Sequence, residues 1–454
     1  MLSPDKTGLL KSFLGALPGS MAARLATAVE VDRMMDGKAL PHDDILESLR
    51  PVLRDQNART LTPLRLFCHP FQDLLTSLPR RSKQKGVIAR RSLVPVWNWV
   101  SKTLLPDESA TYFRDCKALI VARKDDDAFA RAAEFWPIAA AAMSAALKGA
   151  APRKALEKVL GDSLSVEDAD EMALLLSAAE QIEKLETLLP KPVPAFSEQL
   201  VWQVREIYDL LVQTNPDVAP YVAVVAMNRL NRPWEALRLP MMVTRKNDET
   251  LISKTDMGLV GEILFSRMED LKTEIEQTRH PLFDAAKLME QVRTFADLSS
   301  HIAKEIELRR EGEWGKRLLG ERVMIGKVME GFMDRAPREF NAALPSHKST
   351  GGDFSKPISV EKREMALRYA GMVAGCRNFA AAASFAAKQK VTYEDLCSTL
   401  KRYNEDVLKA LKDNPANPVA NDQFQLSTDL TAMLFSVEEA ELLRRRGRAA
   451  LAAA

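Results

Sequence analysis

Apolar residues recur three and four positions apart along almost the whole chain. No stretch alternates apolar with polar residues as a half-buried strand would. Leu9, Leu10, Phe13, Leu14 and Leu17 make one face of a first helix that Pro18-Gly19 stops, and Met21, Leu25 and Val29 belong to a second that ends at Gly37. A third starts at Pro41, with Asp43 and Asp44 in the first turn, where the helix dipole favours acids. Between Thr60 and Leu105 two amphipathic segments flank a short connector. Leu64, Phe67, Phe71, Leu74, Leu75 and Leu78 precede it, with Pro70 placed to kink or restart the helix. Leu93, Val96, Trp97, Val100 and Leu104 follow it, with Ser92 as cap. Ser165-Val-Glu-Asp168 reads as a variant capping box, and Ser436-Val-Glu-Glu439 as another before the last helix.

Farther along, the spacing predicts short helices over Phe196–Gln213, Pro216–Leu230 and Pro233–Arg245. The rhythm of small and aromatic residues from Tyr221 to Leu237 resembles tetratricopeptide-type arrays, although no second copy recurs at a fixed period. Leu264, Met268, Leu271 and Ile275, then Leu288, Val292, Phe295, Leu298 and Ile302 beyond His280-Pro281, predict a long antiparallel helical hairpin. A third long helix carries Leu318, Met324, Val328 and Phe332. Residues 345–357 hold Ser, Gly, Lys and Pro with almost no apolar side chain and read as a protease-sensitive linker.

Composition agrees with this pattern. Ala, Leu, Glu, Lys, Arg and Met dominate, residues that lose little rotamer freedom in a helix. At 454 residues one core is not enough. The expected architecture is all-α and multi-lobed: an N-terminal helical domain over 1–190, a helix-turn-helix array and long hairpin bundle over 191–344, the linker 345–357, and a C-terminal helical unit over 358–454.

The near-neutral net charge of +2 hides a dipolar distribution. Residues 51–105 hold ten basic side chains against two acidic ones, whereas 157–189 hold nine acidic against two basic. The connector 80–91 concentrates six cations, Arg80, Arg81, Lys83, Lys85, Arg90 and Arg91, with no acid among them. Cations at this density engage carboxylates or phosphates, and arginine does so bidentately. These six are the candidate contact residues. Trp97 and Trp99 lie two positions apart and cannot both face a core, so Trp99 is taken as a partly exposed apolar anchor. The acidic segment 157–189 is an equally available partner inside the chain.

Nothing points to catalysis by a known motif. There is no G-x-S-x-G, no phosphate-binding loop, no H-E-x-x-H and no dinucleotide fingerprint. The five histidines are dispersed, and Cys68-His69 are consecutive helical residues that face about 100° apart. No metal or cofactor is implied. Cys68, Cys116, Cys376 and Cys397 sit in apolar helical patterns and read as free thiols of a reducing compartment. No secretory signal is recognisable. The most apolar run, Phe135–Leu147, is too short to span a bilayer, which needs about 20 residues. The chain reads as cytoplasmic. These observations favour a noncatalytic interaction scaffold or adaptor that meets an acidic protein surface through the connector. Nucleic acid bound through the same connector is the alternative, and an enzyme whose site assembles from unlinked residues ranks third. Peripheral membrane contact through the first helix ranks lower, because Lys6 and Lys11 are its only cations.

Overall fold

A computed structural model of the chain describes residues 14, 17, 19–35, 40–54, 61–80, 82–278, 283–347 and 351–452. Leu9, Leu10 and Phe13, Arg81, the His280-Pro281 junction and residues 348–350 lie outside them. The fold is all-α, at 77% helix. No described helix is long and apolar enough to cross a membrane. The chain divides into two compact units, residues 1–231 and 232–454. The boundaries expected at 190 and 344 fall inside these units, and Tyr221–Leu237 is split between them.

In the first unit, α1 (Gly19–Met34) and α2 (His42–Arg54) enclose a small core of Leu14, Ala22, Ala26, Val29, Ile45 and Leu49. Helix α3 (Pro63–Phe67) opens with the Thr62 hydroxyl accepting from Arg65 N. Pro70 does not kink a longer helix. The α-helical turn ends at Phe67 and a three-ten segment, His69–Leu74, carries the chain onward with Pro70 in its first turn, where a missing N–H costs nothing. Two short strands follow, β1 (Leu75–Thr76) and β2 (Ile88–Ala89). They pair in parallel, Leu75 with Ile88 and Thr76 with Ala89, and so close the base of the connector.

Helix α4 (Leu93–Trp99) runs into a π-helical turn, Val100–Leu104. Next come α5 (Pro106–Val121), α6 (Asp125–Ala146), α7 (Ala150–Leu160) and α8 (Ser163–Ser177). Helices α6 and α8 pack on each other, and their buried residues include Ala128, Ala132, Ala139 and Met143 in the first and Val166, Ala169 and Met172 in the second. The Tyr112 ring stacks on Phe135 at 4.4 Å and its hydroxyl donates to Pro63 O, while Trp136 Nε1 donates to Leu66 O. These bonds satisfy the polar ends of buried aromatic side chains. Helices α9 (Ala179–Leu188), α10 (Glu198–Thr214) and α11 (Tyr221–Arg229) complete the unit.

The second unit begins with a three-ten segment, Pro233–Leu237, followed by α12 (Arg238–Thr244) and α13 (Glu249–Ile252). Helices α14 (Leu259–Gln277), α15 (Ala285–Glu305) and α16 (Glu313–Ala343) then pack on one another. The glycines near residue 312 have a concrete reason. The buried Glu249 carboxylate accepts from Arg309 N in the loop before α16 and from Trp314 N and Gly315 N in its first turn, and a Cβ on Gly312 would lie 1.9 Å from Glu249 Oε1. The helix N-terminus therefore receives its anion from its own chain.

Residues 345–357 are not a bare tether. Strands β3 (Ser346–His347) and β4 (Gly351–Gly352) form an antiparallel pair, and Gly352 N donates to Asp406 Oδ2. Gln423 donates to Asp353 O and Asn417 to Phe354 O. These anchors come from α18 (Ala386–Asp413), α19 (Pro418–Leu434) and the residue that caps α19. With α17 (Val360–Gly375) and α20 (Val437–Ala452) they form the C-terminal part of the unit.

Candidate functional site

The connector lies against one face of α8, and the helix is built to receive it. Asp162 caps α8 by accepting from Ser165 N, so the helix begins at Ser163 and Ser165 lies inside it rather than capping it as expected. Positions 162, 165, 168 and 171 then follow one another at three-residue steps and present two buried carboxylates along one side. Ser165 and Asp168, expected to form a capping box, are used to hold the connector.

Lys83 is the centre of the contact. Its ammonium donates to Asp168 Oδ1 at 2.5 Å, to Glu171 Oε2 at 2.6 Å and to Val87 O at 2.7 Å. An ammonium has three donors, and here all three are used. The second oxygen of Asp168 accepts from Ala89 N at 3.1 Å and from Ser92 Oγ at 2.6 Å. The second oxygen of Glu171 accepts from Gly86 N and from the Tyr221 hydroxyl, both at 2.6 Å. The Asp168 and Glu171 side chains are 3% and 4% exposed and Lys83 is 16% exposed. A buried charge cluster with every site paired is favourable in its geometry but fragile to the loss of one member. Burial, with Glu171 beside it, holds the Tyr221 phenol far above its ordinary pKa, so it stays a neutral donor.

The tip of the loop is a turn in which Val87 N donates to Gln84 O, with Gly86 at φ +82°. Positive φ at the third turn position is what glycine supplies without strain. Lys85, one position earlier, projects outward and its ammonium sits 5.5 Å from the centre of the Tyr221 ring. Arg91 is exposed and meets the carboxylate of Asp162 at 3.0 Å, and Arg90 is exposed. Arg80 is half-buried and donates to Gln84 Oε1. The six expected contact residues therefore separate. Lys83 faces inward, Lys85, Arg90 and Arg91 face outward, Arg80 braces the base, and Arg81 lies outside the described residues. Trp99 is not the exposed tryptophan. It is 3% exposed, because α4 turns that position toward the core, while Trp97 is half-buried against Phe67, Tyr112 and Phe135.

A second polar cluster lies near the three-ten segment. Arg229 bridges Asp73 at 2.7 Å and Glu186 at 3.3 Å and donates to Leu189 O. Lys191 meets Asp73, and His69 Nε2 lies 3.3 Å from Glu186 Oε2. Burial, reinforced by Asp73, raises Glu186 to about 7 against the pull of Arg229. Burial, with Arg229 in the same sense, lowers His69 to about 4. Cys68 does not join this cluster. Burial raises its thiol to about 12, which keeps it protonated and poorly nucleophilic. Among the described residues no three His, Cys, Asp or Glu side chains converge as metal ligands. Sequence reasoning passed over Glu186, Asp73 and Arg229 because these partners lie far apart along the chain, Asp73 and Arg229 by more than a hundred positions.

No family model, curated protein or solved structure matches this chain.

Proposed function

We propose that the chain is a noncatalytic protein-interaction scaffold whose first unit offers a preformed basic loop to an acidic protein surface. The division of the connector carries this reading. Lys83 and the amides of Gly86 and Ala89 fasten the loop to α8, and Lys85, Arg90 and Arg91 are left on its outer side. A loop already ordered by its own chain loses little further conformational entropy on binding, so its outward charges act with little ordering cost. Arginine and lysine on such a rim steer an acidic partner and set the salt dependence of its arrival.

The test is capture from native lysate with the full-length wild type and with Lys85→Glu/Arg91→Glu. Reversing these two charges removes the exposed Arg91–Asp162 pair and the contact of Lys85 with the Tyr221 ring, each of which contributes about 1 kcal/mol or less. An acidic protein held by the wild type after nuclease treatment and lost from the variant supports the reading. Capture abolished by nuclease assigns the loop to nucleic acid instead, and a variant that keeps every wild-type partner overturns the proposal.

A further inference from the structure

We propose that the outer face of α16 joins two copies of the chain, the two helices running antiparallel about a two-fold axis at Val323. Helix α16 already buries its other side. Leu318, Ile325, Met329, Phe332, Met333 and Phe340 are covered as it packs on α14, α17 and α18. A helix with one side in a core keeps the opposite side polar when that side meets only water. Here it does not. Leu319 is 58% exposed, Val323 43% and Met324 41%. Side chains four apart are neighbours on a helix surface, so Leu319 and Val323 form one apolar ridge with Met324 on its flank. Single exposed apolar residues are ordinary, whereas a contiguous group marks a contact.

The charges around the ridge identify what covers it. Lys316 lies seven residues before Val323 and Glu330 seven after it, close to two helical turns either way and on the same side. Both are exposed, and among the described residues neither has an ion-pair partner in its own chain. Asp334, farther along the face, is already held by Lys388. A rise of about 1.5 Å per residue sets each free charge about 10 Å from Val323. Turning a second α16 end for end about Val323 therefore brings Lys316 of each copy against Glu330 of the other, twice. The apolar ridges meet between these two ion pairs, and the aliphatic stem of Lys327 covers Leu319 of the other copy. A parallel pairing would set lysine against lysine and glutamate against glutamate, and like charges across an interface are disfavoured. The face is complementary to itself in one direction only, which closes a dimer and leaves no end to extend. The basic loop, in the first unit, takes no part in this pairing.

Sedimentation velocity of the full-length chain, from about 1 µM to about 1 mM, reads the association directly. One helix face makes a small interface, so a dimer with Kd on the order of 10 µM is expected. Lys316→Glu and Glu330→Lys each set like charges against one another at both ends, and each is expected to weaken the dimer by about tenfold or more. The double variant Lys316→Glu/Glu330→Lys exchanges the two partners and is expected to recover the wild-type affinity to within about threefold. A parallel pairing would instead leave the single variants as they were. Val323→Glu places two carboxylates at the axis and is expected to cost at least about a hundredfold. Urea unfolding of each variant confirms that the chain is folded, and if Val323→Glu is not, the three charge variants alone decide. A monomer at every concentration, a dimer that no variant weakens, or single variants whose loss the double variant does not recover overturns the proposal.

Discussion

At the scale of single residues the first unit is held by charges in unequal positions, and two of them make opposite demands. Lys83 is surrounded by two carboxylates that have almost no solvent to fall back on. Replacing it with methionine fills the same space but strands both acids, so Lys83→Met is expected to destabilise the first unit by about 3 kcal/mol, read from urea unfolding. A loss under about 0.5 kcal/mol would mean that the loop is not fastened there. Glu186 is the reverse case, a carboxyl whose charged form the fold resists. Its folded value of about 7 lies above its ordinary 4.5, so the folded state holds the proton more tightly. That contribution is complete below about 4.5 and is lost as pH rises through about 7. His69, with its value lowered, contributes in the opposite sense over part of the same range, and Asp73, Arg229, Gln72 and Lys191 face the pair from the neighbouring segments. The wild-type profile alone therefore mixes two slopes. Glu186→Gln removes one of them. Its stability relative to wild type is expected to rise by on the order of 2 kcal/mol between pH 4.5 and 7. A pH-independent difference would place the titrating group elsewhere. The residues that carry these effects were only partly legible in the sequence. Lys83 stood out as one of six cations, but nothing local distinguished it from Lys85. The two differ only in which side of the turn faces α8.

At the scale of elements, helical periodicity was readable almost everywhere, and the local punctuation was less so. The expected helix over Phe196–Gln213 appears as Glu198–Thr214, and the one starting near Ser92 appears as α4. Ser92, however, makes no side-chain cap and gives its hydroxyl to Asp168 instead. The run Asp162, Ser165, Asp168, Glu171 is visible at three-residue spacing once the helix is started at Ser163. Starting it at Ser165 hides the run, because the polar residues are then assigned to a cap. Pro137 and Pro337 lie inside long helices that their presence argues against, so the packing of α6 and α16 outweighs the lost backbone bond. The glycines of α16 make the sharpest test at this scale. Gly312→Ala forces a methyl group onto a carboxylate held by three backbone amides, and a loss of about 1–3 kcal/mol is expected in thermal or urea unfolding. Gly320, inside the helix that Gly312 precedes, has open space around its Cβ position, and Gly320→Ala is expected to stabilise by up to about 1 kcal/mol. Equal effects at the two positions would refute the nest around Glu249.

At the scale of the whole molecule, the all-α class was readable from periodicity, and the division into two units was not. Composition marks 345–357 as turn-rich, yet the side chains that dock it, Asp406, Asn417 and Gln423, come from far downstream and leave no trace in the local pattern. The boundary at 231/232 falls in a short polar break between two expected helices, Pro216–Leu230 and Pro233–Arg245, which nothing in the sequence distinguishes from the other interhelical breaks. Charge blocks were a better guide than boundaries. The basic and acidic segments of the first unit do meet, and their meeting leaves Lys85, Arg90 and Arg91 on the outside. The central claim is that this outward rim, on a loop fastened by Lys83, recognises acidic protein. Its most direct test is the affinity of the full-length chain for fluorescent polyglutamate, measured by anisotropy for wild type and Lys85→Glu/Arg91→Glu at low and moderate salt. The expected result is salt-sensitive binding that falls by about tenfold or more in the variant while the protein stays folded and its unfolding midpoint moves only slightly. Equal binding by both proteins would contradict the account.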